Sequence, residues 1–346
     1  MKRRVRVRRT VIVVLVATLA LIGANAVTGR FLVPQTGSYP IGLFINDAAR
    51  GLAAAPHFSG MATRAGVSFP VTINNAGYRD AEWVTDGRSR VLLVGSSASF
   101  GVGLSREAGI AAQLAQALGP SIAVLNAGIY SYGPPQILRT IEMECPALRP
   151  RLVLYLHEYK ATRRDFMAER RPSPASETVS DAPEAVGPPD WDLSFRALRA
   201  YLSGHGLHPR QLGENLMGLA RLSPAYLQAH YAVTLPSADF PIATTEKAAS
   251  TITGMRDAAT ACGAAFAMAV LAGPAEAYYG MREPATELVL QHLAEASRPV
   301  AILDTRIGIP LGSRFSIAGL DYPNEAGAAW IAANLAPFVK SRLVPQ

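Results

Sequence analysis

From residue 90 onward, short apolar runs alternate with amphipathic stretches, and turn residues separate them. Val91, Leu92, Leu93 and Val94 form an unbroken apolar run closed by Gly95, the pattern of a strand buried on both faces of a parallel sheet. The spacing then predicts a helix over 106–118, stopped by Gly119 and Pro120, and a strand over 122–125. A helix over 134–147 and a strand over 152–156 come next. Further on, helices over 245–261, 284–296 and 325–342 alternate with strands over 265–271 and 300–304. This alternation predicts βαβ units and a doubly wound, mostly parallel α/β sheet.

The rhythm is broken in two places. Residues 29–88 read as an irregular lead-in with scattered Gly and Pro. Residues 168–190 are rich in Pro, Ser and acid and read as a flexible loop. Residues 191–240 carry helical patches such as FRALRAYL and YLQAHY and read as a helical insertion. The expected organisation is therefore a terminal segment 1–28, the lead-in 29–88, and one α/β domain over 89–346. No internal repeat is found.

Charge changes the picture at the amino end only. The chain has 346 residues and a formal charge of +7, but residues 1–9 hold six of the 33 Lys and Arg and no acid, which leaves 27 basic against 26 acidic residues. The body carries no diffuse basic surface, so nucleic-acid binding is not expected. The uncharged apolar run 10–27 comes after that basic flank, which predicts a cytoplasmic N-terminus and a body on the far side of the membrane. Two readings stay open for it: a signal anchor just long enough to span, or a signal peptide cleaved at Ala24-Asn25-Ala26. Cys145 and Cys262 can pair in an exported chain, but their spacing suits neither a disulfide-dense scaffold nor a metal site, and they are read as two small buried residues. No cofactor or metal is expected.

Ligands of open α/β sheets sit beyond the carboxyl ends of the strands. There the chain places Gly95-Ser96-Ser97-Ala98-Ser99-Phe100-Gly101, then Asn126-Ala127-Gly128, then His157-Glu158-Tyr159. A serine on a strand-to-helix turn can present its hydroxyl, and a glycine leaves its amide open to an oxyanion. The same residues also suit ordinary tight turns. Arg79, Arg163 and Arg164 read as residues of the opening or simply as solvated charges.

The chain resembles the SGNH (GDSL-like) hydrolase family over about 70–160 and 241–340. The resemblance rests on the lead-in Val71-Thr72-Ile73-Asn74-Asn75-Ala76-Gly77-Tyr78-Arg79, on Gly95-Ser96-Ser97 for the family's Gly-Asp-Ser, on Gly128, and on Tyr322-Pro323-Asn324-Glu325-Ala326-Gly327 for the last block. It implies a flavodoxin-like three-layer α/β/α fold, Ser97 as nucleophile, and the amides of Ser97 and Gly128 as oxyanion donors. The departures are as telling. The third-block Asn falls on His157, or on Tyr159 after a shift of two. The catalytic His falls on Tyr322 and its acid on Gly319, with Asp321 at the wrong spacing. Tyrosine, with a pKa of about 10, is a poor base, and a serine needs a base to act as a nucleophile near neutral pH. His205, His208 and His230 fall in the insertion, His57 precedes the domain and His292 lies mid-helix, so His157, with Glu158 beside it, is the candidate base. In that role it would give a pH–rate limb at about 6 to 7. Two functions are expected on these grounds. One is an envelope serine esterase or acyl-transfer enzyme acting on an acylated carbohydrate or lipid ester. The other is an inactive module of the same fold that binds a glycan or a protein partner.

Overall fold

The structure is a computed structural model that describes residues 39–64, 67–158, 242–273, 282–309 and 322–343, with 16, 18–20 and 276. The loop 168–190, the insertion 191–240 and most of the apolar run 10–27 lie outside the described residues. Among the described residues, no helix is long and apolar enough to cross a membrane.

Five parallel strands form the central sheet: β5 (Ser89–Gly95), β6 (Ile122–Asn126), β7 (Leu152–His157), β8 (Ala265–Val270) and β9 (Ala301–Asp304), in the order β6-β5-β7-β8-β9. This is the flavodoxin-like doubly wound order, with the chain reversing direction of growth between β5 and β7. The expected strands and helices all appear, with ends moved by a few residues. The largest shift is at the helix expected from 106, which begins at Ile110 because Gly109 is extended and residues 105–109 are turned by Ala108 N–H donating to Ser105 Oγ at 3.2 Å.

Alternate residues of each strand feed the two sides of the sheet. Leu92, Val94, Val153, Tyr155, Met268 and Val270 pack with α3 (Pro134–Leu148) and α4 (Ile242–Ala261). Val91, Leu93, Leu152, Leu154 and Leu156 pack with α2 (Ile110–Leu118) and α6 (Glu325–Leu343). Helix α5 (Pro284–Ala294) lies against α4. The result is three layers, α/β/α. The near-continuous apolar strands read from the sequence are those with helices on both faces.

The lead-in is not irregular. Residues 44–72 form two antiparallel hairpins, β1 (Phe44–Asp47) with β2 (Gly51–Ala54), and β3 (Ser59–Arg64) with β4 (Val67–Thr72). Their strands are four to six residues long and interrupted by Gly60 and Pro70, too short for a period-2 pattern to stand out. Leu43, Ala62, Phe69 and Val71 bury the hairpins in the same core as α3 and α4.

Cys145 of α3 and Cys262, just past α4, form a disulfide across a sequence separation of 117, with Cα atoms 6.0 Å apart. The reading of two unpaired buried residues is therefore corrected. Spacing in sequence carries no information here, because the pair is made by packing α3 against α4. A loop of this length gives about 5 kcal/mol in the chain-entropy account. Reduction, or the Cys145→Ser and Cys262→Ser pair, should lower the melting temperature measured by calorimetry. Equal melting temperatures with and without reductant would contradict the bond.

Candidate functional site

The carboxyl ends of β5, β6 and β7 meet where the strand order reverses. After β5 the chain turns at Ser96 into a single helical turn, α1 (Ser97–Phe100), and leaves through Gly101, whose φ of 79° few other residues adopt. Ser96, Ser97 and Ser99 are all buried. Phe100 N–H donates to Ser96 O and Gly101 N–H to Ser97 O. Glu158, just past β7, accepts the Ala98 N–H at 2.8 Å. A carboxylate at the start of a helical turn satisfies an amide that otherwise has no partner within the turn.

Ser99 explains both glycines of the site. A Cβ on Gly95 would come within 2.0 Å of Ser99 Oγ, and one on Gly128 within 2.3 Å of Ser99 Cβ. The Ser99 hydroxyl is buried without a hydrogen-bond partner among the described residues. Gly128 is thus required by close packing of the 127–129 turn against α1. Its amide donates to Asn126 Oδ1 at 3.1 Å, so an oxyanion bound there must share or replace that acceptor.

Asn126 is the hub that the sequence reading passed over. Its Nδ2 donates to Ser99 O at 2.9 Å and to Arg79 O at 3.3 Å, and its backbone N–H donates to Asp80 Oδ2 at 2.8 Å. Burial pushes the Asp80 carboxyl up from its ordinary range, against the hydrogen bonds from Asn126, Trp83 and Ala81 that favour the charged form. Arg79, read as a residue of the opening or a solvated charge, is instead 2% exposed and turned inward.

His157 is fully buried at the end of β7. Its Nδ1 lies 3.0 Å from Tyr155 Oη, and its Nε2 has no hydrogen-bond partner among the described residues. The structure therefore does not join His157 to Ser97 by a hydrogen bond. Burial, and secondarily the charge of Arg306, hold its pKa down at about 4, which moves the limb expected at about 6 to 7 if it acted as base. Arg306 itself is buried after β9. Its Nη1 reaches Glu276 at 2.8 Å and Glu287 at 2.6 Å, and its Nε and Nη2 reach Asp304 at 2.7 and 2.8 Å. No pattern in the sequence announced this cluster.

Of the other histidines described, His57 is exposed on the hairpin side and His292 lies 3.3 Å from Thr245 Oγ1. Tyr322 is buried, and Asn324 caps α6 by accepting Gly327 N–H at 2.9 Å. The Asn and Gly of the last block therefore have a local role in starting that helix. Gly319, Asp321, Tyr159, Arg163, Arg164, His205, His208 and His230 lie outside the described residues. Among the described residues, no cluster of His, Cys, Asp or Glu is arranged to hold a metal ion.

This geometry has two testable consequences. Gly95→Ala should destabilise the protein by about 1–3 kcal/mol through overpacking. Adding Ser99→Ala, which removes the clashing oxygen, should recover most of that loss in denaturant unfolding; no recovery would mean that another contact sets the limit. The buried His157 gives a pH signature. Its folded pKa of about 4 lies below the ordinary 6.5, so the unfolded chain binds more protons between these values. Stability is then fully present above about pH 6.5 and lost as pH falls toward 4, at up to about 1.4 kcal/mol per pH unit. His157→Gln should flatten that part of the unfolding profile, and an unchanged slope would assign it to other groups.

No family model and no curated protein matches the chain. Solved structures similar to it include a proposed lipolytic protein of the G-D-S-L family from Desulfitobacterium hafniense DCB-2, at 13% identity and a TM-score of 0.42, covering 72% of this chain and 99% of that one. The psychrotrophic esterase EstA from Pseudoalteromonas sp. is similar at 16% identity and a TM-score of 0.40, with 75% and 99% covered. Est24, a carbohydrate acetylesterase from Sinorhizobium meliloti, is similar at 12% identity and a TM-score of 0.40, with 73% and 99% covered.

Proposed function

We propose that this protein is an SGNH-type serine acyl-transfer protein of the cell envelope, an esterase or O-acyltransferase acting on an acylated glycan or lipid. The observation that carries this reading is the position of Ser97. It is the first residue of a helical turn at the carboxyl end of β5, beside the point where the strand order reverses, with a carboxylate bound to the next amide. Ser97 Oγ would attack the ester carbonyl, forming the acyl–oxygen bond and expelling the substrate alcohol, which takes up the proton. Water or a sugar hydroxyl would then take the acyl group and return a proton to Ser97. Glu158 is the carboxylate bound to the Ser97 turn, through Ala98 N–H, and His157, the base expected from the sequence, is turned to Tyr155 through its Nδ1. The envelope assignment is supported by the basic flank and apolar run at the amino end and by the disulfide, which persists in oxidising compartments.

The second reading, an inactive module that binds a glycan or protein partner, is favoured by a specific observation. Gly128 N–H is already committed to Asn126, and His157 Nδ1 to Tyr155. The two readings separate in one experiment on the full-length protein, using a fluorophosphonate probe and a short-chain p-nitrophenyl ester. Enzymatic function predicts a single adduct on Ser97 and ester turnover that Ser97→Ala abolishes while the melting temperature changes little. A folded protein with neither adduct nor turnover would leave only the binding module.

A further inference from the structure

Among the described residues, Arg79 is one of the largest fully buried side chains, and the cost of its burial outweighs the favourable charge of Glu107. Among the described residues no carboxylate forms an ion pair with it. Its guanidinium lies between the rings of Phe69 and Phe100, 5.4 and 5.5 Å from their centroids. Its four Nη hydrogens are spent on backbone carbonyls. Nη1 donates to Phe100 O at 2.8 Å and Gly101 O at 2.7 Å; Nη2 donates to Pro70 O at 2.7 Å and Leu104 O at 2.6 Å. Its Nε is buried without a hydrogen-bond partner among the described residues. Burial lowers its pKa to about 10, the sign of a cation whose surroundings do not fully compensate it. An apolar side chain of the same volume would avoid that desolvation, so the arginine gives something that packing alone does not.

The hydrogen-bond pattern identifies what it gives. Phe100 and Gly101 offer their carbonyls to Arg79 and their amides to the carbonyls of Ser96 and Ser97. The guanidinium is thus one residue removed from the backbone of Ser96, through Phe100, and from that of Ser97, through Gly101. Its other arm reaches Pro70 in β4, which ties the Ser97 turn to the second hairpin. Glu158 holds the opposite end of the same turn at Ala98 N–H, so a carboxylate sits at its amino end and a guanidinium at its carbonyl end. This is the charge order that complements the peptide dipoles of a helical turn. A lysine cannot substitute, because one ammonium does not present a planar fork to four carbonyls.

We propose that Arg79 is a positioning residue for Ser97, fixing the turn from outside by clamping Phe100, Gly101 and Leu104 to β4. The link to chemistry rests on the reading of Ser97 as nucleophile; the clamp itself does not. The test uses full-length protein carrying Arg79→Lys, with two readouts at a temperature where its far-UV circular dichroism is native. Hydrogen exchange of peptides covering 96–104 should quicken by about tenfold or more, the scale of losing one charge-assisted hydrogen bond, while peptides covering 152–157 and 265–270 stay as in the wild type. The rate of fluorophosphonate labelling and kcat for ester turnover should fall by a similar factor with KM unchanged. If wild-type Ser97 is not labelled at all, the nucleophile reading fails and exchange alone judges the clamp. Arg79→Gln gives a second route if Arg79→Lys does not fold, since its shorter amide cannot reach the four carbonyls and should loosen the same peptides. Unchanged exchange over 96–104, or equal loosening of that turn and the sheet, would overturn the proposal.

Discussion

The site depends on how two adjacent residues, Arg79 and Asp80, dock the lead-in onto the ends of the sheet. Arg79 holds the carbonyls of the turn after β5, and Asp80 holds the amide of Asn126 at the end of β6. Asn126 closes the seam by reaching back to Arg79 O and across to Ser99 O. Arg79 is buried and Asp80 half-buried, where an unsatisfied backbone group is expensive and a satisfied one is rigid. The turn carrying Ser97 is therefore fixed by a segment outside the α/β unit. The hairpins are part of the site's construction rather than an appendage to it.

That constraint also accounts for the glycines. With the turn pinned from Arg79 and from Glu158, Ser99 has one place to go, between Gly95 and Gly128. Each glycine is required by contact with Ser99, whatever chemistry Ser97 performs. The close approach brings the β6 turn against α1, and it leaves the Gly128 amide turned to Asn126. A site assembled this tightly is preorganised for one arrangement of backbone groups, while His157 sits deep in the wall of the sheet, held neutral by burial and by Arg306. The geometry is that of a serine-bearing turn held at both ends, by Glu158 at Ala98 N–H and by Arg79 at the carbonyls of Phe100 and Gly101.

The α/β unit was legible because its strands are buried on both faces and its helices are amphipathic, and both patterns survive without any tertiary knowledge. The carboxyl-end loops were legible for the same reason: once the strands are located, the loops leaving their carboxyl ends mark the site. The hairpins were not, since four-residue strands with Gly60 and Pro70 carry almost no periodicity. Arg79 was misjudged because composition predicts an exposed arginine, and its burial depends on four carbonyls contributed by residues 70 to 104. Asn126 and Glu158 lie beside Gly128 and His157 in the sequence, but the partners that give them their roles are 27 and 60 positions away. His157 was placed at the correct strand end, yet strand position alone does not reveal that Tyr155, on the same face two residues earlier, takes its ring nitrogen.

The claim that hairpins and serine turn form one structural unit is tested most directly by native-state hydrogen exchange of the wild-type protein at increasing, sub-denaturing urea. The account predicts that peptides covering 67–72, 78–81 and 96–104 open together, with one free energy and one denaturant dependence, as a cooperative unit does. Opening of the hairpin peptides at a lower free energy, with 96–104 still protected, would contradict it.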